Sequence, residues 1–161
     1  MATGEQEHLA GAMMMAGTTL HRMGDFEGAI QRLQEAIQVN ATFGEAYFNL
    51  ASSLFEVKRS KEAFESLVQA RQLGVSRARE YAREKAQQII NQVVVAENFG
   101  QAQQTMESLL TVVEETAQDA YSQGLWTEQL GNSDMARSHY QRALTLDPQH
   151  SEGLSALERT R

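Results

Sequence analysis

Residues 24–37 read GDFEGAIQRLQEAI, and residues 58–71, further along the chain, read KRSKEAFESLVQAR. A further copy, GNSDMARSHYQRAL, occupies 131–144, and a weaker one, ENFGQAQQTMESLL, lies at 97–110. Ala29, Leu33 and Ala36 recur as Ala63, Leu67 and Ala70, as Ala102, Met106 and Leu109, and as Ala136, Tyr140 and Ala143. Small, large and small apolar residues spaced four and three apart share one face of an α-helix, so each copy is a helix with the same buried stripe. A period of about 34 residues marks supersecondary units that cannot bury their apolar faces alone and stack on one another.

A second helical face precedes each strong copy. It carries Met13, Ala16, Gly17 and Leu20, then Tyr47, Leu50, Ala51 and Leu54, and finally Ala120, Gly124 and Trp126. Each repeat is therefore expected to be two antiparallel helices with small residues at the close crossing. Gly24 and Gly131 suit the left-handed conformation that turns the chain back between them. In the third repeat the turn glycine is Gly100, displaced, and Ile89 and Ile90 stand where a Leu and a small residue are expected. Thr3 with Gln6, Thr42 with Glu45 and Thr116 with Asp119 have the spacing of capping boxes at the starts of first helices. Between the second and third copies the step is 39, five more than the period. This predicts an insertion near 78–82. The stretch 76–98 has no Gly or Pro and reads as one helix of more than 20 residues. Leu154 and Leu157 fall on one helical face of residues 149–161, which suits a terminal cap.

A helix-turn-helix of about 34 residues with Gly-Asp-aromatic at its turn resembles the tetratricopeptide repeat, and Leu144-Thr145-Leu146-Asp147-Pro148 resembles that family's L-x-L-D-P ending. The resemblance implies an all-α helix-turn-helix solenoid, a right-handed superhelix. It would form a single domain over 1–161, with repeats at about 10–43, 44–77, 83–116 and 117–150 and a capping helix at 151–161.

The remaining composition narrows the function classes. A net charge of −7 and a pI near 5.1 are unsuited to a phosphate backbone, whose affinity comes from many Lys and Arg releasing counterions. There is no cysteine to supply a thiolate or a disulfide. The apolar run 9–17 follows Glu5 and Glu7 where a secretory signal would carry basic residues, and it reads as helix. No segment approaches the roughly 18 unbroken apolar residues of a membrane span. A cytoplasmic location is expected. No G-x-S-x-G, phosphate-cradling glycine loop or H-E-x-x-H occurs, and His8, His21, His139 and His150 are scattered. Neither catalysis, a metal nor a cofactor is expected.

The resemblance places function on a concave surface lined by the exposed sides of the first helices, where a peptide or helical segment of another protein would bind. In this register the lining is Met14, Thr18, His21 and Arg22, then Phe48, Asn49, Ser52 and Phe55, then Gln87, Gln88, Asn91 and Val94, and last Tyr121 and Leu125. Co-chaperones of the family that hold the acidic tail of Hsp70 or Hsp90 use Lys, Asn, Asn, Lys and Arg as a two-carboxylate clamp. Here the matching positions carry Met14, Thr18, Asn49, Glu84 and Gln88, and only Asn49 agrees. The expectation is an adaptor without that clamp, the alternative being a structural subunit that self-assembles through its repeats or long helix. Arg77, Arg79, Arg83 and Lys85, interleaved with Glu80 and Glu84, read as a solvated helix face.

Overall fold

The structure, a computed structural model, describes residues 3–160, and these form nine α-helices and no strand. They are α1 (Gly4–Arg22), α2 (Phe26–Val39), α3 (Gly44–Glu56), α4 (Ser60–Gln72), α5 (Ala78–Val95), α6 (Phe99–Leu110), α7 (Ala117–Gln129), α8 (Ser133–Leu146) and α9 (Ser151–Arg159). This is the all-α, helix-turn-helix repeat architecture of the tetratricopeptide type. Helix α5 starts one repeat period after α3, α7 starts five positions late, and α9 follows α7 in period again. Helix α5 has 18 residues where α3 and α7 have 13, so the five extra residues are helical. By its register α9 is the first helix of a further repeat. Arg161, the end of the expected cap, lies outside the described residues.

The turns between paired helices repeat one closure. Gly24, Lys58, Glu97 and Gly131 have φ of 84°, 61°, 56° and 80°. In each case the next residue donates its N–H five residues back: Asp25 to Leu20, Arg59 to Leu54, Asn98 to Val93 and Asn132 to Thr127. That bond satisfies a carbonyl left open by the helix end. Asp25, Asn98 and Asn132 then cap the second helix, accepting from the N–H of Gly28, Gln101 and Met135.

Three local expectations are corrected. The third turn is made by Glu97, in register with Gly131, and Gly100 lies inside α6. Helix α5 is accordingly shorter than expected: it begins at Ala78, after Gly74 at φ 90° has turned the chain out of α4, and ends at Val95 before the Glu97 turn. Thr42 is no capping box, because α3 is preceded by Phe43 with no side-chain cap and the Thr42 hydroxyl donates to Asn40 Oδ1. The boxes at Thr3 and Thr116 are formed, each with both reciprocal bonds.

The chain divides into two compact units, one up to Lys85 and one from Ala86 on. In the first, α1 packs on α2 and α3 on α4, with α2 also against α3. Ala29, Leu33, Ala36, Ala63, Leu67 and Ala70 are all 0% exposed, as the small-large-small stripe requires. Leu33 lies over Gly17, where a Cβ would come within 2.7 Å of Leu33 Cγ and 3.2 Å of the Ala29 carbonyl oxygen. In the second unit α7 packs on α8 and α8 on α9, with α6 against α7. Its core includes Met106, Leu109, Trp126 and Tyr140. Ala16, assigned to the core by its spacing, is exposed. Its counterpart Leu50 is buried on α3, which has α2 as well as α4 for neighbours.

Candidate functional site

In the first unit, one side of α1 and α3 is laced by side-chain hydrogen bonds. Asn49 Nδ2 donates to Thr18 Oγ1 at 3.2 Å, and the Thr18 hydroxyl donates to the Met14 carbonyl at 2.9 Å. One helical turn further, His21 Nδ1 lies 3.0 Å from Ser53 Oγ. The Ser53 hydroxyl donates to the Asn49 carbonyl at 3.2 Å, so the shared hydrogen on the His21–Ser53 bond belongs to His21 Nδ1. The ring is steadied by Phe26, edge-on at 5.2 Å between centroids. Thr18, His21, Leu33, Asn49, Ser52 and Ser53 surround a cavity of about 40 Å³. It has room for water-sized groups.

Helix α5 closes the other side of this patch through Tyr81, whose hydroxyl donates to Ser52 Oγ at 3.0 Å. Its ring lies 5.0 Å from that of Phe48 and 6.0 Å from that of Phe55, and Phe55 meets the buried Phe64 edge-on at 5.1 Å. The Arg77 guanidinium sits 4.3 Å from the Phe48 centroid while bonding both carboxylate oxygens of Glu45. Lys85 Nζ lies 3.7 Å from Glu56 Oε1 and 5.5 Å from the Tyr81 centroid. Arg77 and Lys85 are thus engaged with α3, Arg77 while remaining exposed, as expected of a solvated face, and Lys85 largely covered, which corrects its reading as part of that face.

Met14, Thr18, His21, Phe48, Asn49, Ser52 and Phe55 are all half-buried, and Arg22 is exposed. Phe48 and Phe55 share Tyr81 as a neighbour, so a partner would meet the rims of these rings. In the second unit Gln87 Nε2 donates to Asn91 Oδ1 at 2.7 Å along the exposed side of α5, where Gln88 is also exposed and Val94 half-buried. Tyr121 stacks between Tyr140, at 5.8 Å, and His150, at 5.3 Å. Leu125 packs on the cluster of Ala136, Tyr140 and Ala156. Tyr81 and Ser53 are site residues that the sequence reading does not single out, and Arg77 is read there only as part of a solvated helix face. Tyr81 lies in the stretch read as an insertion, although it stands one repeat period after Tyr47 and one helical turn after Arg77.

Residues 17–57 match a family model described as a TPR repeat, and residues 127–150 match one described as a tetratricopeptide repeat. A segment of 82 residues, 49% of this chain, is 35% identical to the probable biofilm formation methyltransferase WspC of Pseudomonas putida. The match spans 19% of that relative's length. Among solved structures, MamA from Desulfovibrio magneticus RS-1 has a TM-score of 0.47 at 16% identity, covering 99% of this chain and 85% of that one. The N-terminal domain of stress-induced protein-1 from C. elegans has a TM-score of 0.43 at 16% identity, covering 99% and 100%. The first TPR of Spaghetti, bound to an HSP90 peptide, has a TM-score of 0.43 at 16% identity, covering 96% and 91%.

Proposed function

The chain belongs to the tetratricopeptide-repeat family, and from that premise we propose that it is a non-catalytic interaction module that holds a segment of another protein. The observation that carries this reading is the side-chain ladder on α1 and α3. It fixes Thr18, Asn49, His21 and Ser53 through mutual hydrogen bonds and Ser52 through Tyr81, and flanks them with the half-buried rings of Phe48 and Phe55. Amide and hydroxyl groups held in place lose little entropy when they take up the backbone of an extended or helical segment, and adjoining apolar rims add area. Within the second unit, Gln87, Gln88, Asn91, Val94, Tyr121 and Leu125 are the proposed contacts. The same side of the first unit supports a neutral or apolar segment over an acidic tail. Met14 and Thr18 stand where the clamp needs a Lys and an Asn, and Glu84 and Gln88 where it needs a Lys and an Arg. Each lost charge-assisted bond removes roughly 1.5–3 kcal/mol. An isolated peptide ending in Glu-Glu-Val-Asp is therefore expected to show no saturable binding by calorimetry.

The test uses the full chain as bait, with captured proteins identified by mass spectrometry. Met14→Glu sets a charge beside the ladder and Asn49→Ala removes its cross-helix bond, and neither enters the buried stripe. Loss of the same protein from both variants, at unchanged helicity, is the expected result. A partner retained equally by wild type and both variants overturns the groove.

A further inference from the structure

A second cavity of the first unit, of about 240 Å³, lies between α2 and α4. Its floor is the side of α3 opposite Asn49 and Ser52, where Leu50 and Leu54 are buried and Tyr47 stands beside them. Gln34 forms the α2 rim, and Glu65 and Gln69 form the α4 rim. Glu62 also lines the cavity, but both of its carboxylate oxygens are taken by Arg59, at 2.7 and 2.5 Å. The Glu65 carboxylate, the Tyr47 hydroxyl and the side-chain amides of Gln34 and Gln69 have no hydrogen-bond or ion-pair partner among the described residues.

The last repeat completes the same register with parts of its own. In the alignment that carries Ala63 to Ala136, Leu50 becomes Gln123, Leu54 becomes Thr127 and Gln69 becomes Arg142. Arg142 Nε donates to one oxygen of Glu115, and the other oxygen accepts from Gln123 Nε2 at 3.0 Å. Thr127 accepts from the amide of Gln103 on α6. There an arginine at the rim position meets a carboxylate that rests on the floor residue. In the first unit the carboxylate is present as Glu65 and the arginine is missing. Arg32 on α2 and Arg59 before α4 are paired with Glu35 and Glu62.

We infer that this cavity receives an arginine side chain of another protein. Charge complementarity selects a cation, since Glu65 is an unpaired carboxylate at the rim and the whole chain carries a net charge of −7. The aliphatic stem of an arginine lies on Leu50 and Leu54. Its guanidinium stacks on the Tyr47 ring and donates to Glu65 and to the amide oxygens of Gln34 and Gln69. Lysine has neither the planar face nor the fork that this set of acceptors uses. The cavity is smaller than the roughly 300–1,000 Å³ that encloses a small-molecule ligand, so it takes one long side chain whose backbone stays outside. The site lies apart from the Thr18–Asn49 ladder and does not depend on it.

Titration of acetyl-Ala-Arg-Ala-amide into the full chain, followed by methyl NMR of Leu50 and Leu54, tests this. Saturable shifts with a dissociation constant of roughly 1–10 mM are expected for so small a probe. Citrulline in place of arginine keeps the shape without the charge and should bind at least about fivefold more weakly, as should arginine to Glu65→Gln. Lysine in the same place should bind at least about threefold more weakly. Glu65 is exposed and unpaired, so Glu65→Gln should melt with wild type. Asn49→Ala, which removes the ladder's cross-helix bond, should leave the titration unchanged. Shifts that do not saturate by about 50 mM overturn the proposal. So does a citrulline or lysine peptide that binds as tightly as the arginine one, wild-type affinity in Glu65→Gln, or a loss in Asn49→Ala.

Discussion

Gly124 lies against the face of Tyr140: a Cβ added to Gly124 would stand 2.6 Å from Tyr140 Cδ1 and closer still to Cε1. The same relationship occurs in the first repeat between Gly17 and Leu33, at the matching register positions. The ring of Tyr140 is 0% exposed and cannot swing aside, and the Ala29 carbonyl behind Leu33 is backbone. Gly124→Ala is therefore expected to destabilise the second unit by about 1–3 kcal/mol, and Gly17→Ala the first by a similar amount. Gly100→Ala, in open space at the start of α6, should be neutral or stabilising. Urea denaturation followed by circular dichroism separates the three, and equal stability of all variants would contradict the close crossings.

Two of the four equivalent turns hold a non-glycine residue in the left-handed region, Lys58 at φ 61° and Glu97 at φ 56°. A Cβ in that conformation costs roughly 1–2 kcal/mol, partly returned by its restriction of the unfolded chain. Lys58→Gly and Glu97→Gly should each stabilise by about 0.5–1 kcal/mol, and Gly131→Ala should destabilise by about 1 kcal/mol. Thermal melts of the single variants give the sign directly.

Glu128 joins three helices. Its carboxylate accepts from the Tyr140 hydroxyl and, at 3.0 Å, from Arg159 Nη2 on α9. The Tyr140 hydrogen bond, and after it the Arg159 bond, hold the carboxyl below the ordinary glutamate value. Burial, followed by the Glu128 hydrogen bond, pushes the Tyr140 phenol upward. A carboxyl depressed in the folded state contributes its full stability above the unfolded value and loses it as pH falls through the folded one. Lowering pH from about 5 to about 3 should therefore loosen α9, and Glu128→Gln should flatten that part of the stability profile. Melting temperatures of wild type and variant at matched ionic strength would expose a profile that Glu128 does not shape.

His150 is the cap of α9. Its Nδ1 accepts from the Gly153 N–H at 3.0 Å, and its Nε2 lies 3.2 Å from Gln118 Oε1 on α7. Removing a capping side chain costs about 1 kcal/mol, so His150→Ala should fray α9 while His150→Asn, itself a good cap, should recover much of the loss. Amide exchange at Gly153 and Leu154 reports the helix start, and equal protection in both variants would rule the cap out.

Much of this molecule is legible in one dimension because its information is local and repeated. Ala29, Leu33 and Ala36 and their copies declare both helix and buried face, and Gly24 and Gly131 announce their turns. Even the irregular step between the second and third copies is visible, as five residues beyond the period. What stays hidden depends on a backbone or a neighbour. Glu97 turns the chain although its side chain has no preference for doing so, because Asn98 and Val93 supply the closing bond. Thr42 has the spacing of a cap and lacks its geometry. Phe48 and Phe55 look unpartnered in the repeat pattern because Tyr81, the residue that meets both, lies in a stretch that the sequence alone reads as an insertion.

The amino-acid sequence by itself determined the all-α class and the helix pairs of the first, second and last repeats, since a period of about 34 residues combined with helical geometry leaves few alternatives. Tertiary structure alone decided which polar groups are spent within the chain and which face is left over. Thr18 with Asn49, His21 with Ser53 and Glu128 with Arg159 lie about one repeat apart, and such bonds exist only once helices from successive repeats stand side by side. For the same reason Ala16 is exposed while Leu50, its counterpart, is buried: identical register positions differ only in whether another helix stands in front of them.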